Sequence, residues 1–276
     1  MLPRKVLFYL PIVAFILITF APIYWIVLSA FTPISDLFQS PLHYIPAHPS
    51  WVNFRDVAQI LPLGQLFWNS AVLAIVSACV SVVVCLFAAY AFARIRFPGS
   101  GLLLLLLLLS GFLPGVATII PLFQMFQSLG LIDTMRGLVI LVVSLLLPTR
   151  VWIMTTFIRQ IPVEMEEAAQ VDGAGSLVLL WKVIIPVLRP GLATLFLINL
   201  IAAWDDFFLP LIFNRTNATT TLTLGITQSG INPQYQTVVW GNEAAMGMLV
   251  IAPVFLLAMI FQKQIVEGLM AGALKG

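Results

Sequence analysis

Three ionisable residues stand inside long apolar stretches of the sequence, where a charge needs a partner or a function. They are Arg150, Asp205 and Asp206, and Trp204 directly precedes the two aspartates. A charge at the centre of a membrane span costs about 2.5–3.5 kcal/mol on insertion scales. Arg150, Trp204 and Asp205 could contact solute hydroxyls, because charged groups form strong hydrogen bonds to hydroxyls and Trp offers a flat face. Alternatively, Arg150 pairs with one of the aspartates and joins two helices. Asn199 is a weaker candidate for a solute path.

A second group of candidate residues lies in the polar segment 159–190. Pro162 and the three glutamates after it suit a helix N-terminus, where the helix dipole favours negative charge. Four residues then recur at helical spacing and predict one small, mostly apolar helix face. They are Met165, Ala168, Ala169 and Asp172. A face of small residues lets a partner approach closely, so this helix is either a docking knob or an amphipathic loop on the membrane.

The second half of this segment predicts a turn and another helix. Gly173 and Gly175 permit a sharp reversal of the chain. Ser176 can cap the helix that follows. Pro186 and Pro190 are expected to end that helix before the next apolar stretch begins.

The composition predicts an integral membrane protein. Of the 276 residues, 61% are hydrophobic and only 9% are charged, whereas soluble domains are nearer half apolar and a quarter charged. The net charge is +2, with 13 dispersed Lys and Arg residues, which argues against binding to nucleic acid. Cys79 and Cys85 lie in one apolar stretch, and we predict that they are small packing residues. No cluster of ligand residues predicts a metal site.

Six stretches have the roughly 20 apolar residues that a helical membrane span requires. We predict an all-α membrane protein with one transmembrane domain, 1–276, because helices satisfy their own backbone hydrogen bonds in lipid. The predicted spans are 7–30, 66–92, 101–123, 137–158, 191–213 and 244–261.

The short loops predict the orientation of the chain. Nine Lys and Arg residues fall on one side of the predicted spans and three on the other. Because cytoplasmic loops are enriched in positive charge, both termini and the segment 159–190 are predicted to be cytoplasmic. The segments 31–65 and 214–243 are then extracytoplasmic. The first of them is rich in Pro and aromatic residues and is expected to have little regular structure.

The cytoplasmic segment resembles the EAA loop of ABC-importer permeases. Glu167, Ala168 and Ala169 are followed after three residues by Gly173. After nine more residues come an aliphatic residue, any residue, an aliphatic residue and Pro186. Residues 172–174 and the tail 268–276 are similar to the carbohydrate branch of that family. The closest likeness is to the shorter, six-span permease of maltose-type pairs.

The triplet 204–206 also resembles a Trp-Asn-acidic sequence common in these permeases. Asp205 stands where Asn is usual. This departure leaves the role of position 205 open.

The resemblance implies the type I ABC importer permease fold and a subunit of a larger assembly in the bacterial plasma (inner) membrane. The implied partners are a homologous second permease, a dimeric cytoplasmic ATPase and an extracytoplasmic solute-binding protein. The EAA loop is implied to be the coupling helix, with Glu167, Ala168, Ala169, Asp172, Gly173 and Pro186 as its coupling residues. The chain lacks a GxxxxGK[ST] motif, so it is expected to hold no cofactor and no catalytic residue, with ATP and Mg on the ATPase.

Other functions are weaker predictions from the same sequence. The solute could be something other than a sugar, such as glycerol phosphate, in the same kind of importer. An intramembrane enzyme is disfavoured, because no Ser/His or paired-Asp motif with hydrolase spacing is present. An ATP-independent secondary transporter is disfavoured because six spans are few and no inverted repeat is visible.

Overall fold

The protein is all-helical throughout the part of the chain that the structure describes. The structure is a computed structural model, and it describes residues 4–40, 44–46, 48–113, 115–229 and 239–263. These residues form helices and turns without a strand, which confirms the predicted fold class. The tail 268–276, which is similar in sequence to the carbohydrate branch of the permeases, lies outside the described residues. The helices are α1 (Arg4–Phe31), α2 (Ile34–Leu37), α3 (Val52–Ile60), α4 (Leu63–Arg94), α5 (Ser100–Ser110), α6 (Gly115–Ser128), α7 (Met135–Arg159), α8 (Val163–Val171), α9 (Ser176–Leu179), α10 (Ile185–Trp204), α11 (Phe208–Phe213), α12 (Leu222–Ser229) and α13 (Trp240–Ile260).

Five helices in the described residues are long and apolar enough to cross a membrane. They are α1, α4, α7, α13 and the continuous helix 176–204. The predicted third span, 101–123, is not one helix but the shorter pair α5 and α6. A break is physically reasonable here, because Gly111 and Pro114 in the sequence are poor helix formers. Neither short helix alone reaches the roughly 20 residues of a span.

The predicted fifth span begins earlier than expected and ends earlier too. Its helix runs from Ser176 through α9, a π-helical turn at Leu180–Ile184, and α10. The prediction that Pro186 and Pro190 end the helix was therefore wrong. Pro186 lies in the first turn of α10, and we attribute its tolerance to the π turn, whose wider backbone relieves the clash that proline imposes on a preceding carbonyl.

The segment 31–65 holds more regular structure than the sequence suggested. It contains α2 and α3, and α3 is tied to the end of α1 by one side chain. Asn53 Nδ2 lies 3.3 Å from the carbonyl oxygen of Ser29, 3.0 Å from that of Ala30 and 2.9 Å from that of Thr32. These carbonyls at a helix end lack partners within the helix. A buried Asn therefore holds this segment in place.

The described residues form two compact units. One unit falls within residues 4–67 and 221–253, and the other within 68–220 and 254–263. The second unit contains a buried apolar cluster to which α4, α7 and the helix 176–204 all contribute. Cys85 belongs to this cluster, as predicted for a packing residue, while Cys79 is exposed.

Candidate functional site

Helix α8 ends in a tight reversal that depends on one glycine. Gly173 has φ +86°, and its N–H donates to the carbonyl of Gln170 at 2.9 Å. The N–H of Ala174 donates to the carbonyl of Ala169, also at 2.9 Å. These two bonds make a Schellman motif, which satisfies carbonyls at a helix C-terminus and favours glycine at the left-handed position. The sequence predicted this reversal.

A steric clash is not the reason why position 173 favours glycine. A Cβ built on Gly173 would meet no atom within 4 Å. The cost of a side chain is therefore conformational, about 1–2 kcal/mol for a residue forced into the left-handed region. The space around the turn is open on this chain and remains available to a partner.

The predicted small face of α8 is divided between solvent and core. Ala168 and Asp172 are exposed, and Met165 is 43% exposed. Ala169 is partly buried and packs against the apolar cluster of the second unit. Val171 at the end of α8 is 87% exposed, which is unusual for an aliphatic side chain in a helix. The outward surface of α8 is thus small, apolar and acidic, and it includes Glu167, which is also exposed.

One glutamate of α8 that the sequence did not single out is buried in an ion pair. Glu166 is only 5% exposed, and Arg94 Nε donates to its Oε1 at 2.5 Å. Arg94 Nη2 also donates to the carbonyl oxygens of Ile158 at 2.9 Å and Ile161 at 2.7 Å. Arg94 is the last residue of α4, so this cluster joins three helices. No sequence spacing relates positions 94 and 166, and only the fold brings them together.

The chain after α8 leads directly into the buried cluster. Gly175, and not Ser176 as predicted, occupies the N-cap of α9, and no side chain caps that helix. Leu179, Leu180 and Ile184 are then buried against α4 and α7. Pro186 is partly buried in the first turn of α10. Consequently α8 is exposed on one side and joined on the other to the core of its unit.

Two of the predicted solute-path residues contact each other. Arg150 Nε donates to Asn199 Oδ1 at 2.8 Å, and Asn199 Nδ2 donates to Ser81 Oγ at 3.0 Å. This chain of polar groups joins α7, α10 and α4. Asn199 is fully buried and Arg150 is partly buried. Within the described residues, the terminal guanidinium nitrogens of Arg150 have no hydrogen-bond partner, and the expected pair with Asp205 or Asp206 is not formed.

The triplet 204–206 does not present one continuous face. Trp204 is 5% exposed, so its ring is not open to a solute in this conformation. Asp205 is exposed beyond the end of α10. Asp206 Oδ1 accepts the backbone N–H of Leu209 at 3.1 Å, which satisfies a free donor at the start of α11. The two aspartates therefore lie in the break between α10 and α11, whereas the sequence placed them inside one continuous span, 191–213.

A third polar centre, also absent from the predictions, fastens the segment after α11. Asp133 Oδ1 accepts the N–H groups of Arg215 at 3.1 Å and Thr216 at 3.2 Å, and the hydroxyl of Thr219 at 2.7 Å. Its Oδ2 accepts the hydroxyl of Thr216 at 2.7 Å. Burial acts to raise the pKa of Asp133, but these hydrogen bonds outweigh it and lower the pKa to about 2.

Groups of three or more potential metal ligands are not found in the described ranges. Three polar centres of the second unit join distant parts of the chain: the Arg94–Glu166 cluster, the Arg150–Asn199–Ser81 row and Asp133.

Comparison with known proteins gives a consistent result. Residues 82–270 match the model of a family described as "Binding-protein-dependent transport system inner membrane component". The chain is 32% identical to the trehalose transport system permease protein SugB of Mycobacterium tuberculosis, over 92% of each chain. It is 29% identical to the trehalose/maltose transport system permease protein MalG of Thermococcus litoralis, over 99% of this chain and 98% of that one.

A solved structure shares the fold. It is the crystal structure of a bacterial ABC transporter involved in the import of the acidic polysaccharide alginate. The alignment has a TM-score of 0.81 at 21% identity and covers 95% of this chain and 98% of that chain. The expected ABC importer permease fold is thereby confirmed.

Proposed function

Because the chain belongs to the family of binding-protein-dependent transport system inner membrane components, we propose that it carries a carbohydrate or related polyol through the bacterial plasma membrane. Family membership makes it an ABC-importer permease and not itself an enzyme, since the ATPase of such systems is a separate subunit. The choice of solute is supported by the relatives, two of which are named for trehalose or maltose transport.

We infer six crossings, with α5 and α6 together forming the third. The two short helices follow one another and are separated only by residues 111–114. An even number of crossings puts both termini on the side that carries nine of the basic residues, in agreement with the positive-inside rule. The segments 31–65 and 214–243 then face the solute-binding protein, and α8 faces the cytoplasm.

The observation that carries the proposal is the outward surface of α8. It combines an acidic residue, Glu167, with the exposed small and apolar residues Ala168 and Val171 and the open turn at Gly173. This surface would seat in a cleft of the cytoplasmic ATPase. Asp172 lies at the C-cap of α8, where it shapes the same turn. The inward residues Ala169 and Pro186 would hold the helix to the rest of the permease.

The proposed mechanism is alternating access driven by movement of α8. Closure of the ATPase dimer on ATP would draw α8 with it, and the buried cluster would pass that displacement to α4, α7 and α10. The solute path would lie between this chain and a homologous second permease. The two permeases would rock as near-rigid bodies and open the path to one side at a time.

Arg150 is the residue of this chain that we place on the solute path. Asn199 holds its guanidinium by one nitrogen, so that the remaining N–H groups can donate to hydroxyls. Asp205, which is exposed, is a second path candidate, whereas Asp206 mainly caps α11. The burial of Trp204 removes it from the path unless the helix break at 205–207 changes during transport.

A second candidate solute is an anion such as glycerol phosphate. The specific observation in its favour is Arg150, whose guanidinium lacks a carboxylate partner within the described residues. A guanidinium can bind a phosphate through two parallel hydrogen bonds. Competition for uptake between a neutral disaccharide and glycerol phosphate separates the two candidates.

The decisive experiment is crosslinking from two adjacent alanines. Cysteine at Ala168 points outward and is expected to capture the ATPase in an assembled, transporting complex. Cysteine at Ala169 is the matched control, because this side chain packs inward and should crosslink weakly. Failure of Ala168→Cys to capture any nucleotide-hydrolysing subunit would overturn the coupling role of α8.

A further inference from the structure

The two adjacent glutamates of α8 have different surroundings. Successive residues of a helix project about 100° apart. Glu166 points into the protein and is 5% exposed, while Glu167 is exposed to solvent. Only Glu167 can reach an ATPase. The role of Glu166 must therefore be sought inside this chain.

Arg94 connects Glu166 to the ends of two long helices. Arg94 belongs to the last turn of α4, and its Nε binds Glu166 of α8. Its Nη2 binds the carbonyls of Ile158, in the last turn of α7, and Ile161, just beyond that helix. Carbonyls at a helix C-terminus lack partners and favour a positive charge. One guanidinium thus satisfies the end of α7 and the buried charge of α8 together.

The ion pair of this cluster is largely shielded from water. The side chains of Arg94 and Glu166 are only 13% and 6% exposed, respectively. Three buried residues of the apolar cluster lie close in sequence to the pair. Ala89 precedes Arg94, and Ile158 and Ile161 precede Glu166. A buried pair cannot exchange its partner for water, so its separation leaves an uncompensated charge. The connection between α8 and the two helix ends is therefore stiff.

The backbone alone would hold α8 less firmly. Short turns flank it at residues 160–162 and 172–175, and the helix that follows passes through the π turn Leu180–Ile184. A sideways force on α8 could tilt it about these turns. Taking the docking of α8 to an ATPase from the proposed function, we propose that Arg94 and Glu166 are positioning residues that make α8 and the ends of α4 and α7 move as one body. Displacement of α8 then reaches two spans at once.

The functional test measures solute imported per ATP hydrolysed in the complete complex reconstituted in liposomes. Glu166→Gln keeps the size of the side chain and removes its charge. We expect it to retain the bound ATPase and to lower the uptake per ATP about 2- to 30-fold, the range that coupling residues produce. Arg96→Gln is the control, because Arg96 is exposed, also loses its charge in this variant and lies outside α8, and it should keep the wild-type ratio. A wild-type ratio in Glu166→Gln overturns the inference.

A distance measurement tests the single-body movement directly. Spin labels at Ile95→Cys and Gln170→Cys, both exposed positions, report the separation of α8 from the end of α4. A Cys79→Ala background removes the exposed native cysteine, and Cys85 is buried. The wild-type complex should give one narrow distance that is the same without nucleotide and with ATP. A shift of this distance between the two states overturns the inference.

Arg94→Lys provides a second route if Glu166→Gln does not assemble. Lysine keeps the positive charge but lacks the planar group that reaches three acceptors. We expect the label distance to broaden in this variant, and an unchanged narrow distance would contradict the inference. Absence of ATPase capture at Ala168→Cys, in contrast, removes the proposed function itself, so the two failures are distinguishable.

Discussion

Two arginines of the second unit, Arg94 and Arg150, have different hydrogen-bond partners. Arg94 uses three of its five N–H donors, with one carboxylate and two backbone carbonyls as acceptors. Arg150 binds one neutral amide, that of Asn199, and its terminal nitrogens have no partner within the described residues. Both lie next to the same apolar cluster, so a difference in polarity of the surroundings does not explain the contrast.

The comparison separates a structural charge from an available one. A charge that is paired with a carboxylate and held by two further acceptors stabilises one arrangement of helices and has few donors left for a ligand. A charge with free donors in a membrane protein carries an unrelieved cost, which is the usual mark of a functional position. This criterion assigns Arg94 to the structure around α8 and supports our proposal that Arg150 lies on the solute path.

The largest expected effect is loss of stability in Arg94→Leu. This change leaves Glu166 buried without a counter-ion, and breaking a buried pair costs about 3–5 kcal/mol. The thermal midpoint of the purified permease should fall clearly, and Arg94→Leu with Glu166→Leu should recover part of the loss. Arg96→Leu is the control, because Arg96 is exposed. Equal midpoints for the Arg94 and Arg96 variants would show that the buried pair has no structural role.

Arg150→Ala should affect uptake more than stability. Its hydrogen bond to Asn199 is worth about 1.5–3 kcal/mol at most, and no buried carboxylate loses a partner. Uptake by the reconstituted complex should change in KM or maximal rate, while the thermal midpoint shifts less than in Arg94→Leu. Arg150→Lys keeps the charge and should be intermediate. An unchanged uptake together with an unchanged midpoint would remove both roles considered for this residue.

The smallest expected effect is the pH dependence of the contacts of Asp133. Its carboxylate accepts hydrogen bonds from uncharged donors. Its pKa of about 2 lies below the ordinary value of 3.8, so its contribution is present above that ordinary value and is lost as the pH falls through 2. Hydrogen exchange of residues 214–220, corrected for intrinsic rates, should be the same at pH 5 and pH 7. Asp133→Asn should raise the rate of hydrogen exchange in these residues at both pH values. A rise between pH 7 and pH 5 in the wild type would contradict the assignment.

The coupling segment was predictable as far as local rules decide it. The acidic N-terminus of α8 and the glycine reversal at Gly173 follow from helix dipoles and left-handed backbone geometry, and both are present. The passage of the helix through Pro186 and Pro190 was not predictable in the same way. At Pro186 we attribute the continued helix to the preceding π turn, and packing of Leu179, Leu180 and Ile184 in the core supports that irregular turn.

The polar centres were predicted by residue type but not by partner. Arg150 was singled out because a charge in an apolar stretch is costly, yet aspartates and not Asn199 were expected beside it. Asp133 and Arg94 lie in the sequence just outside predicted spans, where charges are common and carry no signal. Their importance appears only when distant positions are brought into contact, 72 residues apart for Arg94 and Glu166 and 83 for Asp133 and Thr216.

The sequence by itself determined that the protein is a helical membrane permease, because apolar runs of span length and an EAA-like spacing are local properties of the chain. The tertiary structure decided which charges are paired, since a hydrogen bond depends on where two distant segments meet. It therefore decided that Glu166 faces Arg94 while its neighbour Glu167 remains free. One helical step of about 100° separates the buried glutamate from the exposed one.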